Sequence, residues 1–230
     1  MSRQLAPKRI CLVGSTGLVG WTMIEQAVSR NDIRLVGITR REVKLPHGAR
    51  MEMLLADPSG WADAIAAAKA DVLVCALGTT WNKAGKDEAA FRAVDHDLVL
   101  ACARAAQAAG VDHMIVVSSA GADPGSGNRY LRVKGETEQE LSRLRFRRLD
   151  ILRPGLLRGR RENDPRPVER LAMLASPLID LFLWGKRRKY RSIRAHDVVR
   201  AVFALAREKA GGHFIHERDA MFYAIRRAGG

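Results

Sequence analysis

The stretch ICLVGSTGLVG, residues 10–20, decides the fold, because an apolar run gives way to glycines at every third position. A buried strand, a tight turn and a helix that begins at once would produce this pattern. Gly14 would permit a backbone angle that a side chain blocks. Gly17 would let a bulky anion approach the chain, and Gly20 would let the helix pack near the strand. A tight turn without any ligand is the competing interpretation.

The same turn has the chemistry of an anion site. A helix N-terminus presents free N–H groups and a partial positive charge, which suit a diphosphate. Side-chain hydroxyls in the turn add further donors. The spacing is G-x-x-G-x-x-G rather than the common G-x-G-x-x-G, but its place after a first strand predicts dinucleotide binding. The predicted binding residues are Gly14, Ser15, Thr16, Gly17, Leu18, Val19 and Gly20.

Apolar runs alternate with helical patterns along the chain, which predicts an α/β fold. The runs are continuously apolar, as expected of strands covered on both faces. We therefore predict a Rossmann-type doubly wound parallel sheet. One NAD(P)-binding domain would span 1–230, with 154–230 forming a small C-terminal elaboration on the substrate side. The predicted strands are 9–13, 33–38, 49–55, 71–77, 112–117, 149–152, 187–193 and 213–215, and the predicted helices are 18–29, 61–69, 87–109, 129–144, 168–184 and 196–208.

The chain is strongly basic, since 39 Lys and Arg against 25 Asp and Glu give a net charge of +14. Such an excess favours phosphates, nucleic acid or an anionic membrane, although a solvated basic surface is the simpler interpretation. The basic clusters 145–148 and 158–161 lack an interleaved aromatic platform, so we expect no specific nucleic-acid binding. The segment 178–191 is apolar and then basic. It could lie on a membrane, cover the substrate or form a homodimer contact; we expect no membrane association and leave the homodimer open.

The cysteines and the N-terminus predict a cytoplasmic protein. Residues 1–9 are polar and basic and lack the pattern of a signal peptide, and no uninterrupted apolar run is long enough to span a membrane. The three cysteines are odd in number and favour a reducing compartment. We expect no metal site, because the cysteines lack metal-like spacing and His213 and His216 would face opposite sides of a strand. His96 and Asp97 are expected at the surface of the long helix.

The end of the second predicted strand discriminates between nicotinamide cofactors. An NAD site usually has an acidic residue there for the ribose 2′-hydroxyl. Here Arg40 and Arg41 follow the strand, and two guanidinium groups can hold a 2′-phosphate. We predict NADP(H), with NAD(H) less favoured; a pair of exposed surface arginines is the alternative.

Two more strand ends would meet in the same crevice, because ligands bind at the carboxyl ends of parallel strands. Gly78 and Thr79 follow one strand, and a glycine there lets a cofactor pass close to the backbone. Asp57 follows another strand and could accept a hydrogen bond from the adenine amino group. All three are predicted cofactor contacts.

The stretch RYLRVKGE carries candidate catalytic groups. Tyr130 and Lys134 are four residues apart and share one face of a helix. A nearby ammonium favours the phenolate form of a tyrosine, so the pair could exchange a proton with a carbonyl or an alcohol. Ser118 and Ser119 end the preceding strand, and a serine hydroxyl there could bind the substrate oxygen.

Together these residues resemble the atypical or extended short-chain dehydrogenase/reductase superfamily. The stretches VSSAGADP, YLRVKGETEQEL and ILRPGLLRGRRE resemble the branch of the HIV-Tat-interacting oxidoreductase-like proteins and their bacterial relatives. The resemblance implies a Rossmann fold, NADP(H), and proton transfer by Tyr130 assisted by Lys134. Ser119 matches the catalytic serine better than Ser118, which remains a candidate cofactor contact. Pro154 and Gly155 match a loop near the nicotinamide, and an asparagine of relatives is replaced around Val94-Asp95.

These observations predict an NADPH-dependent oxidoreductase that acts on a carbonyl or alcohol in a small-molecule substrate. An NADP(H)-sensing regulatory or scaffold protein with little turnover is the alternative. A nucleotide-sugar epimerase is disfavoured, because the stretch of chain after the Arg153-Pro154-Gly155 loop is short. It leaves little room for a domain that binds a sugar nucleotide.

Overall fold

The computed structural model describes residues 6–159 and 184–229. In this part of the chain seven parallel strands form one sheet in the order β3-β2-β1-β4-β5-β6-β9. The predicted α/β doubly wound sheet is therefore confirmed. Its strands are β1 Lys8–Val13, β2 Ile33–Thr39, β3 Glu52–Leu55, β4 Val72–Cys75, β5 His113–Val117, β6 Arg148–Leu152 and β9 Gly212–His216. Two short strands, β7 Leu157–Arg158 and β8 Ile193–Arg194, pair with each other apart from this sheet.

Helices cover both faces of the sheet. They are α1 Leu18–Ala27, α2 Trp61–Ala67, α3 Glu88–Arg92, α4 Leu98–Ala108, α5 Arg129–Arg143, α6 Ala195–Leu205 and α7 Arg218–Ala228. Ile10 and Leu12 of β1 pack on the face of α1 and α6, whereas Cys11 and Val13 pack on the face of α2 and α4. Successive residues are thus buried on opposite faces, which explains why the strands are continuously apolar. In the described part of the chain, no helix is long and apolar enough to cross a membrane.

The strand order reverses between β1 and β4, and this topology places the ligand crevice. In open parallel sheets ligands bind outside the carboxyl ends of the strands at such a reversal. The glycine turn follows β1, and the Gly78 loop follows β4. Both therefore face the same crevice.

The structure corrects several predicted elements. The helix predicted over 87–109 is interrupted by a π-helical turn, Ala93–Asp97; an inserted residue of this kind is not visible in the apolar period. His96, expected at the surface, is buried and lies between Asp97 and Glu140. The strand predicted over 187–193 is wrong over most of its length, since Gly185–Tyr190 is a 3-10 helix and strand β8 begins only at Ile193. Helix α7 was not predicted, and the helix predicted over 168–184 lies outside the described residues except for Trp184.

A buried charged cluster joins the last strands of the sheet. Asp150 of β6 is fully buried and accepts hydrogen bonds from Arg148, from His113 of β5 at 2.8 Å and from His216 of β9 at 2.7 Å. Burial alone would raise the pKa of Asp150, but the hydrogen bonds from His113, His216 and Arg148 overcome it and hold the pKa well below its usual value. The cluster therefore contributes to stability rather than to the crevice.

Candidate functional site

Two of the three glycines of the first turn have a steric reason to be glycine. Gly14 has a φ of +88°, and a Cβ there would lie 2.6 Å from the Ala76 backbone carbonyl. A Cβ at Gly20 would lie 2.8 Å from Ser15 Cα and 2.9 Å from the Gly14 carbonyl carbon. Gly17 is different, because it is exposed and its nearest neighbour would be a backbone oxygen at 3.4 Å. Gly14 and Gly20 hold the turn tight, and Gly17 leaves its outer side open.

The turn fits a dinucleotide diphosphate. Helix α1 begins at Leu18 with Gly17 as its N-cap, so no side chain caps its first amides, and its first turn contains no acidic residue. Those amides and the helix dipole are therefore available to an anion. Thr16 is exposed at the turn, whereas the buried Ser15 hydroxyl donates to the Ile38 carbonyl at 3.0 Å. Ser15 thus ties the turn to β2 with its side chain.

The arginines predicted to bind the 2′-phosphate lie where β2 ends. Arg40 and Arg41 are exposed, and the Thr39 hydroxyl shapes this corner by donating to the Arg41 carbonyl at 2.7 Å. Within the described residues, neither guanidinium has an acidic partner. Asp57 is exposed just beyond β3, on the same side of the sheet. The structure thus places these three residues at the carboxyl ends of the neighbouring strands β2 and β3.

The loop after β4 passes directly over the candidate lysine. A Cβ at Gly78 would lie 3.4 Å from Asp95 Oδ1 and 3.8 Å from Lys134 Nζ. The Thr79 backbone N–H donates to Asp95 Oδ2 at 2.7 Å. A glycine at position 78 therefore leaves the ammonium group of Lys134 close to the crevice floor.

Lys134 is held by a buried ion pair. Its ammonium lies 2.7 Å from Asp95 Oδ1, and the side chains of Lys134 and Asp95 are 7% and 0% exposed. The geometry at Oδ1 is not that of an aligned hydrogen bond, so the contact is an ion pair. Burial works against the charged form, but the Asp95 carboxylate and Tyr130 outweigh it and raise the pKa of Lys134 above its usual value. Lys134 is therefore an ammonium at neutral pH.

Tyr130 lies one turn before Lys134, on helix α5. Asn128 caps this helix by accepting a hydrogen bond from the Leu131 N–H at 3.2 Å. The Tyr130 ring packs 5.3 Å from that of the buried Phe91, which in turn contacts Trp81. An open pocket of about 460 Å³ lies beside the phenol and is lined by Trp81, Asn128, Arg129 and Tyr130.

The two serines at the end of β5 have different surroundings. The Ser118 hydroxyl is buried and donates to Glu138, whose carboxylate also binds Arg153 at 3.0 Å. The Ser119 hydroxyl is partly exposed, and its internal partner is the Ala120 carbonyl at a marginal 3.5 Å. Of the two, Ser119 is freer to bind a substrate oxygen.

The loop after β6 closes beside the serines. The Pro154 carbonyl accepts a hydrogen bond from the Ala120 N–H at 2.8 Å, and a Cβ at Gly155 would lie 2.7 Å from the Tyr190 carbonyl oxygen. The Tyr190 side chain also packs against Gly121. Pro154 and Gly155 thus lie at the edge of the Ser119 loop, and their predicted contact with the nicotinamide stays a prediction. The position of Tyr190 was not predicted.

Sequence reasoning missed several residues of this region. Asp95 was noted only as the place of a replaced asparagine, and its pairing with Lys134 had no local signal. Glu138 could have been found, because it follows Tyr130 and Lys134 at the same helical spacing. Within the described residues, no group of three or more His, Cys, Asp or Glu side chains is arranged to hold a metal ion.

Residues 14–177 match the profile of the NAD(P)H-binding family. The chain belongs to this family. The NAD(P)H-binding protein is 36% identical to the mitochondrial protein fmp52 of Emericella nidulans over 170 residues, 71% of this chain and 72% of that protein. It is 48% identical to rat protein HTATIP2 over 102 residues, 44% of this chain and 41% of the rat protein. The resemblance to atypical short-chain dehydrogenases/reductases is thereby confirmed.

Solved structures show the same fold for this NAD(P)H-binding protein. A Bacillus halodurans protein described by name as an NAD-dependent epimerase/dehydratase is 20% identical with a TM-score of 0.69, over 96% of this chain and 99% of that one. The UDP-glucose 4-epimerase of Thermotoga maritima is 15% identical with a TM-score of 0.68, over 96% of this chain and 82% of the epimerase. Identities this low establish the fold alone.

Proposed function

We propose that this NAD(P)H-binding protein is an NADPH-dependent oxidoreductase that acts on a carbonyl or alcohol of a small molecule. The observation that carries the proposal is the buried ammonium of Lys134 beneath Gly78, one helical turn after Tyr130 on α5, with Tyr130 among the groups that raise its pKa. A phenol beside a fixed ammonium is a proton-exchanging group. The pocket of about 460 Å³ beside Tyr130 lies within the range of small-molecule sites.

Each residue has a defined part in carbonyl reduction. The uncapped N-terminus of α1 binds the diphosphate, and Arg40 and Arg41 bind the 2′-phosphate. When bound, the nicotinamide supplies the hydride that reduces the substrate carbon. Ser119 donates a hydrogen bond to the substrate oxygen, and Tyr130 gives that oxygen a proton. The buried ammonium of Lys134 stabilises the phenolate that remains, because opposite charges attract.

Replacing Tyr130 with Phe tests the proton transfer, since the change removes one hydroxyl and keeps the ring packed on Phe91. We expect turnover on a panel of carbonyl substrates to fall by at least about 100-fold, while NADPH titration gives an unchanged dissociation constant. Tyr223→Phe is the matched control, because Tyr223 is exposed on α7, and it should keep full activity. Full turnover by Tyr130→Phe would contradict the assignment, and tight NADPH binding without turnover on any substrate would favour the sensing alternative.

The preference for NADPH depends on Arg40 and Arg41. Replacing both with Ala should weaken NADPH binding by about 10-fold or more, as expected when charge-assisted hydrogen bonds to a phosphate are lost. NADH binding should change little. Arg34→Ala is the control, because Arg34 is exposed on the same strand but away from its carboxyl end. Equal losses for both cofactors would contradict the preference.

We propose a cytoplasmic, reducing location for the protein. Its three cysteines are buried and free, which suits a compartment where thiols stay reduced. The fungal relatives are named as mitochondrial proteins, so the location needs a direct test. Fractionation of cells that make the natural protein should find it with cytoplasmic markers, and recovery with an organelle or membrane fraction would contradict the proposal.

A further inference from the structure

The pocket beside Tyr130 has an aromatic wall. Trp81 lines the pocket, and its ring meets that of the buried Phe91 edge-on, with the ring centres 5.9 Å apart. Phe91 also packs against the Tyr130 ring at 5.3 Å. The indole is thus held in the same aromatic cluster as the phenol, and the planar apolar part of a ligand can pack against it.

The remaining lining residues present hydrogen-bond donors. Asn128 accepts the Leu131 N–H with its side-chain oxygen at 3.2 Å, and no described residue accepts a hydrogen bond from its amide NH2 group. Arg129 contributes a guanidinium group, and of the described residues that line the pocket it alone is charged. The rim of the pocket therefore suits a hydrogen-bond acceptor that carries a negative charge.

Arg129 is only weakly paired within the protein. Its Nε lies 3.7 Å from Glu88 Oε2, which is beyond hydrogen-bond distance, and its side chain is 62% exposed. The other oxygen of Glu88 accepts a hydrogen bond from Arg132 at 2.6 Å. Arg132 and Arg92 also pair with Glu136. In the described part of the chain three arginines thus share two carboxylates, and Arg129 is the one held most loosely.

Helix stability does not explain the position of Arg129. It is the first residue of α5, and the first turn of this helix contains no acidic residue. A cation at a helix N-terminus opposes the helix dipole and is unfavourable there. An anion bound in the pocket would offset this effect, because it would give the guanidinium group a partner of opposite charge.

We propose that Arg129 determines specificity, and that the site takes carbonyl compounds with a planar apolar body and a carboxylate group. The inference rests on the proposed function and names the substrate class of that site. The carbonyl lies at Tyr130, the body packs on Trp81, and the carboxylate binds Arg129, whose planar guanidinium group matches the two carboxylate oxygens. The volume of about 460 Å³ accommodates a small molecule of this kind.

Two probes of similar shape test the charge. They are 4-(hydroxymethyl)benzoate, which carries the carboxylate, and its neutral methyl ester. Both are alcohols, so binding is measured without turnover when they are titrated into the protein with NADPH in excess. By calorimetry, we expect the parent protein to bind the carboxylate about five-fold more tightly than the ester, which is the upper end for an exposed ion pair. This preference should decline as the salt concentration rises, because salt screens exposed charges.

Replacing Arg129 with Gln removes the charge and keeps a polar side chain. We expect this variant to lose the preference through weaker binding of the carboxylate, while its affinity for the ester and its thermal unfolding stay like those of the parent. Arg143→Gln is the matched control, because Arg143 is exposed in the last turn of the same helix; it should keep the preference. Equal affinity of the parent for both probes, no binding of the carboxylate, or a preference that survives Arg129→Gln would overturn the proposal.

Replacing Trp81 with Leu tests whether the probes occupy this pocket. The change removes the aromatic wall, so it should weaken both probes alike, by about three-fold or more. Unchanged affinity for both would place the probes elsewhere and overturn the proposal; if this variant fails to fold, the comparison of Arg129→Gln with the parent decides. The two proposals fail separately, because turnover that survives Tyr130→Phe refutes the proposed function, whereas the role of Arg129 is decided by binding alone.

Discussion

Replacing Gly20 with Ala is expected to disrupt both the fold and the cofactor site. The added Cβ would lie 2.8 Å from Ser15 Cα and 2.9 Å from the Gly14 carbonyl carbon, where ordinary contact begins at 3.4 Å. All the obstructing atoms are backbone, so no side chain can turn aside. Helix α1 must therefore move away from the glycine turn by more than about half an ångström. The protein interior is already close-packed and resists such a movement.

The cost follows from what this movement loosens. Overpacking of a core costs about 1–3 kcal/mol. The Gly14 carbonyl also accepts the Gly17 N–H at 3.1 Å, and losing that bond adds about 1 kcal/mol. We expect a total of about 2–4 kcal/mol, which for a chain of this size lowers the midpoint of thermal unfolding by about 4–16 °C.

Thermal unfolding followed by circular dichroism measures the loss, and NADPH titration measures the site. Gly127→Ala is the matched control, because nothing lies within 4 Å of a Cβ there and its φ is not in the left-handed region. That change should be neutral or stabilise by up to about 1 kcal/mol. A Gly20→Ala protein that melts and binds NADPH like the parent would refute the described packing of α1 on the turn.

Two further predictions concern groups outside the crevice. Asp150→Asn should lower the free energy of unfolding by about 3–5 kcal/mol in urea at pH 7, because it leaves Arg148 buried without its counter-charge; the exposed Asp112→Asn, which breaks the Arg147 pair, should cost no more than about 1 kcal/mol. Because the pKa of Asp150 is lowered on folding, its contribution to the free energy of unfolding is present above about pH 4 and is lost as pH falls. The difference in this free energy between the parent and Asp150→Asn should therefore shrink in acid. A difference that stays constant with pH would contradict the assigned cause. All three cysteines are buried, and burial raises the pKa of their thiols, to about 12 for Cys11 and about 11 for Cys75. They should therefore resist a thiol reagent in the native protein and react fully in urea; rapid labelling of the native protein would show that a cysteine is accessible.

The local pattern of apolar residues was sufficient to predict most strands of the sheet. Strands β1, β2, β5 and β6 begin and end within one residue of the predicted bounds, because continuous burial leaves an unbroken apolar run. The helix over 87–109 shows the limit. Its apolar period continues through the π turn Ala93–Asp97, so the sequence pattern gives no sign of the interruption. Helix α7 was missed because it buries Met221 almost alone, so its apolar face is too narrow to show a clear period.

By itself the sequence determined the order of the elements, the glycine turn and the spacing of Tyr130 and Lys134, because each is written in neighbouring residues. Only the tertiary structure decided that Asp95 pairs with Lys134 and that Glu138 accepts the hydrogen bond of Ser118, which leaves Ser119 freer. It also decided that Asp150 joins residues of three strands through hydrogen bonds. Such contacts join segments far apart in the chain, and their energies depend on burial and distance. The burial of these groups and the distances between them are set only when the sheet assembles and places those segments side by side.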